Sequence, residues 1–248
     1  MIVTAPIQDL RMMYGLTAVV VLLTSYAAGS IPFAYFIVKR VTGEDITEHG
    51  TGNVGSMNVR RTTGSWGWFV VAVCADGLKG LVPVLLAKAA MGGLTVAWLV
   101  TPVGVSVGTG GHANLARWFL LVPQAAVLGC VVGHNYSMWM AFIEHRFSRT
   151  GKGLATGAGA LLAYDWRYLL AALVIALLVI AVTRYMLAGQ VAAAFALPVA
   201  ALVLRSPDWP FALLMGALVY AAHHRRFMGL MQGKEPKLYV NDRMGPRG

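Results

Sequence analysis

The 248 residues are 58% hydrophobic and only 12% charged, whereas a soluble domain is roughly 45–50% apolar and about 25% charged. An ordinary soluble fold is thereby excluded, and so is an anchored one, because apolar runs recur along the whole chain. The net charge of +10, from 20 Lys and Arg against 10 Asp and Glu, would suggest nucleic acid on a soluble protein. Here the basic residues cluster in short segments between apolar runs, which speaks for the positive-inside bias of membrane proteins and against a nucleic-acid partner. Cys74 and Cys130 both lie inside apolar runs, so neither a disulfide framework nor a metal cluster is indicated.

About 20 apolar residues cross a bilayer as a helix. In chain order the predicted spans are 16–38, 66–87, 119–142, 153–164, 168–182, 187–204 and 209–222. The first is too long for a signal-peptide core of about 7–15 residues and is expected to be retained. The reading is an all-α, polytopic transmembrane bundle of about seven spanning helices. It forms a single membrane domain over 1–248, with an N-terminal segment at 1–15 and a tail at 223–248. A weakly apolar stretch at 92–108, with Pro102 and several glycines, is left uncounted as a re-entrant piece or outer loop. Seven spans put fourteen of the twenty basic residues on one face, among them Lys39, Arg40, Arg61, Arg149, Lys152 and Arg226. That face is then cytoplasmic, with the C-terminus inside and the N-terminus outside. Lys79 falls within a span, and Asp76 three residues earlier offers it an intrahelical ion pair.

Three polar segments on the cytoplasmic face can meet an anion. In the first, Gly50, Gly52 and Gly55 alternate with Thr51 and Asn53 before Asn58, Arg60 and Arg61, a composition that lets backbone N–H groups turn around a phosphate. Arg61 or its neighbour Arg60 adds a charge-assisted contact. A tight connection between two helices would have a similar composition. The second, Arg149-Thr150-Gly151-Lys152-Gly153, opens an apolar run, so an anion is favoured at its helix N-terminus beside Lys152. It lacks the leading glycine and the Ser or Thr of a Walker A loop. The third, His223-His224-Arg225-Arg226 with Gly233-Lys234-Glu235, has the composition of a juxtamembrane basic cluster drawn to anionic lipid.

Gly29-Ser30-Ile31-Pro32-Phe33, the loop from Gly52 to Arg61, Gly133-His134-Asn135-Tyr136, Gly151-Lys152-Gly153-Leu154-Ala155-Thr156 and Gly233-Lys234-Glu235 stand in this order. Together they resemble the bacterial PlsY family, the acyl-phosphate:glycerol-3-phosphate acyltransferases, over about residues 26–237. The resemblance implies a seven-helix enzyme of the bacterial cytoplasmic membrane with its active site on the cytoplasmic face. It implies acyl transfer from acyl phosphate to the 1-hydroxyl of glycerol 3-phosphate, yielding lysophosphatidate in phospholipid synthesis without a cofactor or a metal. Its partners would be membrane lipid and an upstream enzyme forming acyl phosphate. Thr51 takes the place of the family's loop serine, and Asn53, Asn58, Arg61 and Lys152 match motif residues. Catalytic roles are thus implied for Thr51, Arg61 and Lys152, and substrate binding for Gly50, Gly52, Asn53, Gly55, Asn58, His134, Gly151, Gly153, His223 and Arg226.

The chain departs from the family pattern at several places. Thr47 replaces a basic residue, Met57 a threonine, Ser137 a proline and Thr150 a glycine, and about six extra residues lengthen the second motif around 143–148. Arg226 stands where asparagine is common, and Gly229 where arginine is frequent. An added cation there suits a larger or more anionic acceptor, so a paralogue acylating another phosphorylated alcohol is an alternative. A small transporter of phosphorylated solutes is another, and it predicts ionisable residues lining a path at mid-bilayer. His49, set among glycines, is read as structural and not as a general base.

Overall fold

The structure is a computed structural model that describes residues 7–91, 113–234 and 237. The stretch 92–108 and Glu235 therefore lie outside the described residues. The described residues form ten α-helices and one 3-10 turn, with no strand. They are α1 (Ile7–Gly29), α2 (Phe33–Thr42), the turn Ile46–Glu48, α3 (Ser56–Thr63), α4 (Trp66–Ala90) and α5 (Ala113–Asn135), followed by α6 (Met138–Glu144), α7 (Leu154–Tyr164), α8 (Trp166–Thr183), α9 (Met186–Val203) and α10 (Trp209–Met231). The chain divides into two compact units, residues 1–166 and 167–248.

Five segments are long and apolar enough to cross a membrane: Met12–Thr42, Trp66–Ala90, Leu120–Glu144, Trp166–Thr183 and Met186–Val203. Their outward faces are apolar, as Val70, Leu78, Val82 and Leu86 on α4 and Leu173, Leu177, Leu178 and Val182 on α8 show. So much contiguous exposed hydrocarbon is unfavourable in water and suits lipid. The shorter apolar helix α7 has 11 residues, which at 1.5 Å each reach about 16 Å, roughly half the hydrocarbon core.

The segmentation differs from the hydropathy reading at four places, each for a local reason. The run at 16–38 is two helices, because Pro32 has no N–H to continue the ladder and the chain turns at Ser30, whose hydroxyl and amide both bond the Tyr26 carbonyl. The run at 119–142 breaks at Tyr136 and Ser137, where the Ser137 hydroxyl accepts from the Met140 amide and caps α6. The glycine-rich connection at 43–65 contains the helix α3. The last span runs on to Met231, so residues 223–226 are helical and not part of a loose tail.

In the first unit the helices meet through glycine, as membrane helices without a hydrophobic drive between them do. A Cβ on Gly29 would meet the Cys130 backbone, and one on Gly133 the Tyr26 carbonyl, so α1 and α5 touch. Gly80 lies against the Thr156 carbonyl and Gly159 against Gly77, which joins α4 to α7 in the same way. In the second unit Gly216 of α10 lies against the Ala194 carbonyl of α9.

Candidate functional site

The first loop hangs on a small apolar core. Ile46 and Val54 at its two ends are buried with Ala34 and Val38 of α2, Val59 of α3, Ala72 of α4 and Met140 of α6. Each fully buried aliphatic side chain contributes about 1.5–3 kcal/mol, enough to fix both ends of the polar stretch between them. Asp45 starts the 3-10 turn by accepting from the Thr47 amide at 2.9 Å and the Thr47 hydroxyl at 2.7 Å. Thr47 thus has a capping role, which accounts for a hydroxyl where a cation was expected.

Asn58 closes the loop from beneath. It is 2% exposed, and its Nδ2 donates to the Ile46 carbonyl at 3.0 Å and the His49 carbonyl at 2.9 Å. It therefore serves loop conformation as well as any ligand. Gly50 and Gly52 have φ of 58° and 66°, a region costly for other residues, and a Gly50 Cβ would strike the Asn58 side chain. Gly55 is the N-cap of α3 and offers no side-chain cap. Of the two arginines, Arg60 lies over the Trp66 ring, with Cζ 3.9 Å from its centroid. Arg61 is exposed, and its Cδ is 3.4 Å from where a Gly50 Cβ would stand. The fold thereby separates an arginine stacked on the start of α4 from a loop-side one. Thr51 is exposed and Asn53 half-buried in the same loop.

The second loop is built on Thr150. Its amide donates to the Asn135 carbonyl at 2.8 Å, and its hydroxyl donates to the His134 carbonyl at 3.0 Å and accepts from the Ser137 amide at 3.3 Å. The base of the lengthened 136–149 excursion is therefore closed whatever its tip does. Gly151 packs on the His134 ring, where a Cβ has no room, and Gly153 takes φ 73° beside Asn135. Gly153 caps α7 without a side-chain bond, and a helix N-terminus of this kind favours an anion. Lys152, half-buried, stands between these two glycines.

A backbone bond joins the loops: the Val54 amide donates to the Thr150 carbonyl at 2.8 Å. The segments carrying Thr51, Asn53, Asn58 and Arg61 and those carrying Gly151, Lys152 and Gly153 are thereby one assembly, with His134 beneath the second. His223 and Arg226 belong to the second unit. There His223 is buried, with Nδ1 2.8 Å from the Val219 carbonyl, and Arg226 is exposed. His49 lies 3.2 Å from Glu44, both partly exposed, which fits its structural reading. Among the described residues no group of three or more His, Cys, Asp and Glu is placed to hold a metal ion.

Sequence reasoning missed Thr150, Asn135 and Asp45 as organisers of the loops. The signal for Asp45 was its place before a short polar turn, where Asp caps well. For Thr150 it was a hydroxyl at a position where the family resemblance expects glycine.

The geometry can be set beside known proteins. The sequence profile of a family described as glycerol-3-phosphate acyltransferase matches residues 19–233. The chain is similar to the glycerol-3-phosphate acyltransferase of Thermus thermophilus, 37% identical over 223 residues that cover 89% of this chain and 95% of the relative. It is also similar to that of Thermosynechococcus vestitus, 34% identical over 219 residues covering 87% and 92%. In fold it is similar to a crystal structure of PlsY, an integral membrane glycerol 3-phosphate acyltransferase, in its glycerol 3-phosphate form. That likeness has a TM-score of 0.69 at 26% identity and covers 90% of this chain and 96% of the other. The lysophosphatidic acid form of PlsY gives a TM-score of 0.68 at 25% identity with the same coverage.

Proposed function

This chain belongs to the PlsY family of glycerol-3-phosphate acyltransferases, and on that footing we propose that it transfers an acyl group from acyl phosphate to the 1-hydroxyl of glycerol 3-phosphate, releasing lysophosphatidate and phosphate. The hydroxyl oxygen attacks the acyl carbon, the bond from that carbon to the phosphate oxygen breaks, and the phosphate leaves with the electron pair and takes up the hydroxyl proton. Such a reaction asks for positioning and for stabilisation of phosphate charge, not for a protein nucleophile. Arg61 and Lys152 supply the charge, and Thr51 a hydroxyl beside the transferring group. Gly50, Gly52, Gly55, Gly151 and Gly153 expose backbone amides, while Asn53, Asn58 and His134 line the joined loops. His223 and Arg226 are the further substrate-binding residues that the family resemblance implies.

The observation that carries this reading is the bond between Val54 and Thr150, which makes two glycine loops with a cation apiece into one assembly. The charge bias supports a cytoplasmic site and seven spans with the N-terminus outside, the family resemblance a bacterial membrane, and the recurrence of apolar runs along the chain a single functional domain. For that count, α7 and the 23-residue α10 join the five long segments. An enzyme forming acyl phosphate acts upstream, and lipid surrounds the protein.

The test is product analysis by mass spectrometry after mixing purified protein with palmitoyl phosphate and glycerol 3-phosphate, with palmitoyl coenzyme A as the control donor. Lysophosphatidate formed only from palmitoyl phosphate is the expected result. Equal product from the thioester, or none from either donor with folded protein, would reject the donor assignment.

A further inference from the structure

Two buried charged groups lie within α4 and are not used by the chemistry above. Asp76 and Lys79 are 2% and 7% exposed, and Lys79 Nζ is 2.8 Å from Asp76 Oδ1. Ionised groups buried at membrane depth are costly, and the commonest reason to keep them is a function beyond mutual neutralisation. Both have a second partner. Lys79 Nζ donates at 2.7 Å to the carbonyl of Ile31, which sits in the break between α1 and α2. Asp76 Oδ1 is 3.7 Å from His134 Nδ1, beyond hydrogen-bond length but within electrostatic reach through a buried medium.

His134 carries this line to the site. The Nε2 edge of its ring lies against Gly151, leaving no room for a Cβ there. Its carbonyl accepts from the Thr150 hydroxyl at 3.0 Å, and the Thr150 carbonyl holds Val54 of the first loop at 2.8 Å. A continuous set of contacts thus runs from the helix break through Lys79, Asp76 and His134 to the residue beside Lys152.

We propose that Asp76 and Lys79 are positioning residues for the acyl transfer: the pair holds the His134 ring and the helix break in register, and so sets the Gly151–Gly153 loop and Lys152 against the first loop. As far as catalysis is concerned, this rests on the function proposed above. At 3.7 Å the Asp76 carboxylate attracts the Nδ1 edge of the imidazole electrostatically and so biases the ring's orientation. The same carboxylate is held by the ammonium that adds a side-chain bond to the Ile31 carbonyl in the turn before Pro32.

The test uses the full chain in detergent. Asp76→Asn or Lys79→Met alone strands a buried charge and loses stability whatever the pair is for, so neither decides the matter. The double variant Asp76→Asn/Lys79→Met removes both charges at near-constant shape, which buried pairs commonly tolerate, and its thermal midpoint is expected to stay close to the parent's. Its transfer rate is expected to fall about a hundredfold, the cost of a small misplacement at a reacting centre, and amide exchange at Val54 and Thr150 to quicken. Parent-like rate and exchange in the folded double variant would reduce the pair to packing and overturn the proposal. Should that variant not purify folded, Asp76→Glu keeps both charges and moves the carboxylate by one methylene. An unchanged rate there overturns the proposal, whereas a loss of about tenfold at unchanged midpoint supports it. Amide exchange is read without turnover, so a parent protein silent in the transfer assay defeats the proposed function while the exchange comparison still decides the positioning.

Discussion

In the helices of the first unit, glycine lets two backbones touch. In the two loops it lets one backbone turn where a side chain forbids it. Gly80 and Gly159 have helical dihedrals and are held to glycine only by the neighbouring helix. Gly50, Gly52 and Gly153 have positive φ and are held to glycine first by their own conformation. The same residue type is therefore a stability requirement in one region and a site requirement in the other, and substitutions in the two regions should fail in different ways.

The largest effect is expected in the helices. Gly80→Leu pushes a side chain into the Thr156 carbonyl of α7, where two backbones cannot both hold position, so its cost is expected at or above the upper end of the ~1–3 kcal/mol typical of overpacking. Size-exclusion chromatography and thermal unfolding in detergent should show loss of folded protein. Next come the cations of the loops. Arg61→Ala or Lys152→Ala should lower the transfer rate on the order of a thousandfold, as loss of a charge-stabilising group does, with no change in thermal midpoint.

A smaller and mixed effect is expected where loop conformation itself is perturbed. Gly52→Ala places a Cβ 3.0 Å from the Thr47 carbonyl at φ 66°, a strain of about 1–2 kcal/mol. A modest fall in midpoint together with a several-fold lower rate would place this glycine in both classes, and a rate loss with no stability loss would sharpen the division. Least of all should His49→Ala matter. Its partner is the partly exposed Glu44, and a rate within about threefold of the parent is expected, whereas loss of a general base costs about 10²–10⁴.

The helical frame was largely legible in the sequence, whereas the helix-contact role of Gly80 and Gly159 was not. The apolar runs located nearly every long helix, since a bilayer leaves the backbone few alternatives. The i, i+3 spacing of Asp76 and Lys79 announced an ion pair that forms at 2.8 Å. What hydropathy could not register were breaks inside apolar runs. Pro32 and Ser137 interrupt helices while lowering the mean hydropathy of their windows only slightly, because the interruption is a matter of one amide or one hydroxyl. The helix α3 was hidden by polar composition, and the run-on of α10 through His223 and Arg226 by basic residues that a window counts as loop. The bond from Val54 to Thr150 joins residues far apart in sequence by backbone atoms alone, so no side-chain pattern could have announced it.

The central claim is that those two loops act as one phosphate-handling surface. A double-mutant cycle on Arg61 and Lys152, read as the transfer rate per KM for glycerol 3-phosphate, tests it most directly. The double alanine variant is expected to lose less than the sum of the two single losses, with a coupling of at least ~1 kcal/mol, because neighbouring groups serving one charge are not independent. Losses that add to within about 0.3 kcal/mol would mean that the loops serve separate groups, and would contradict it.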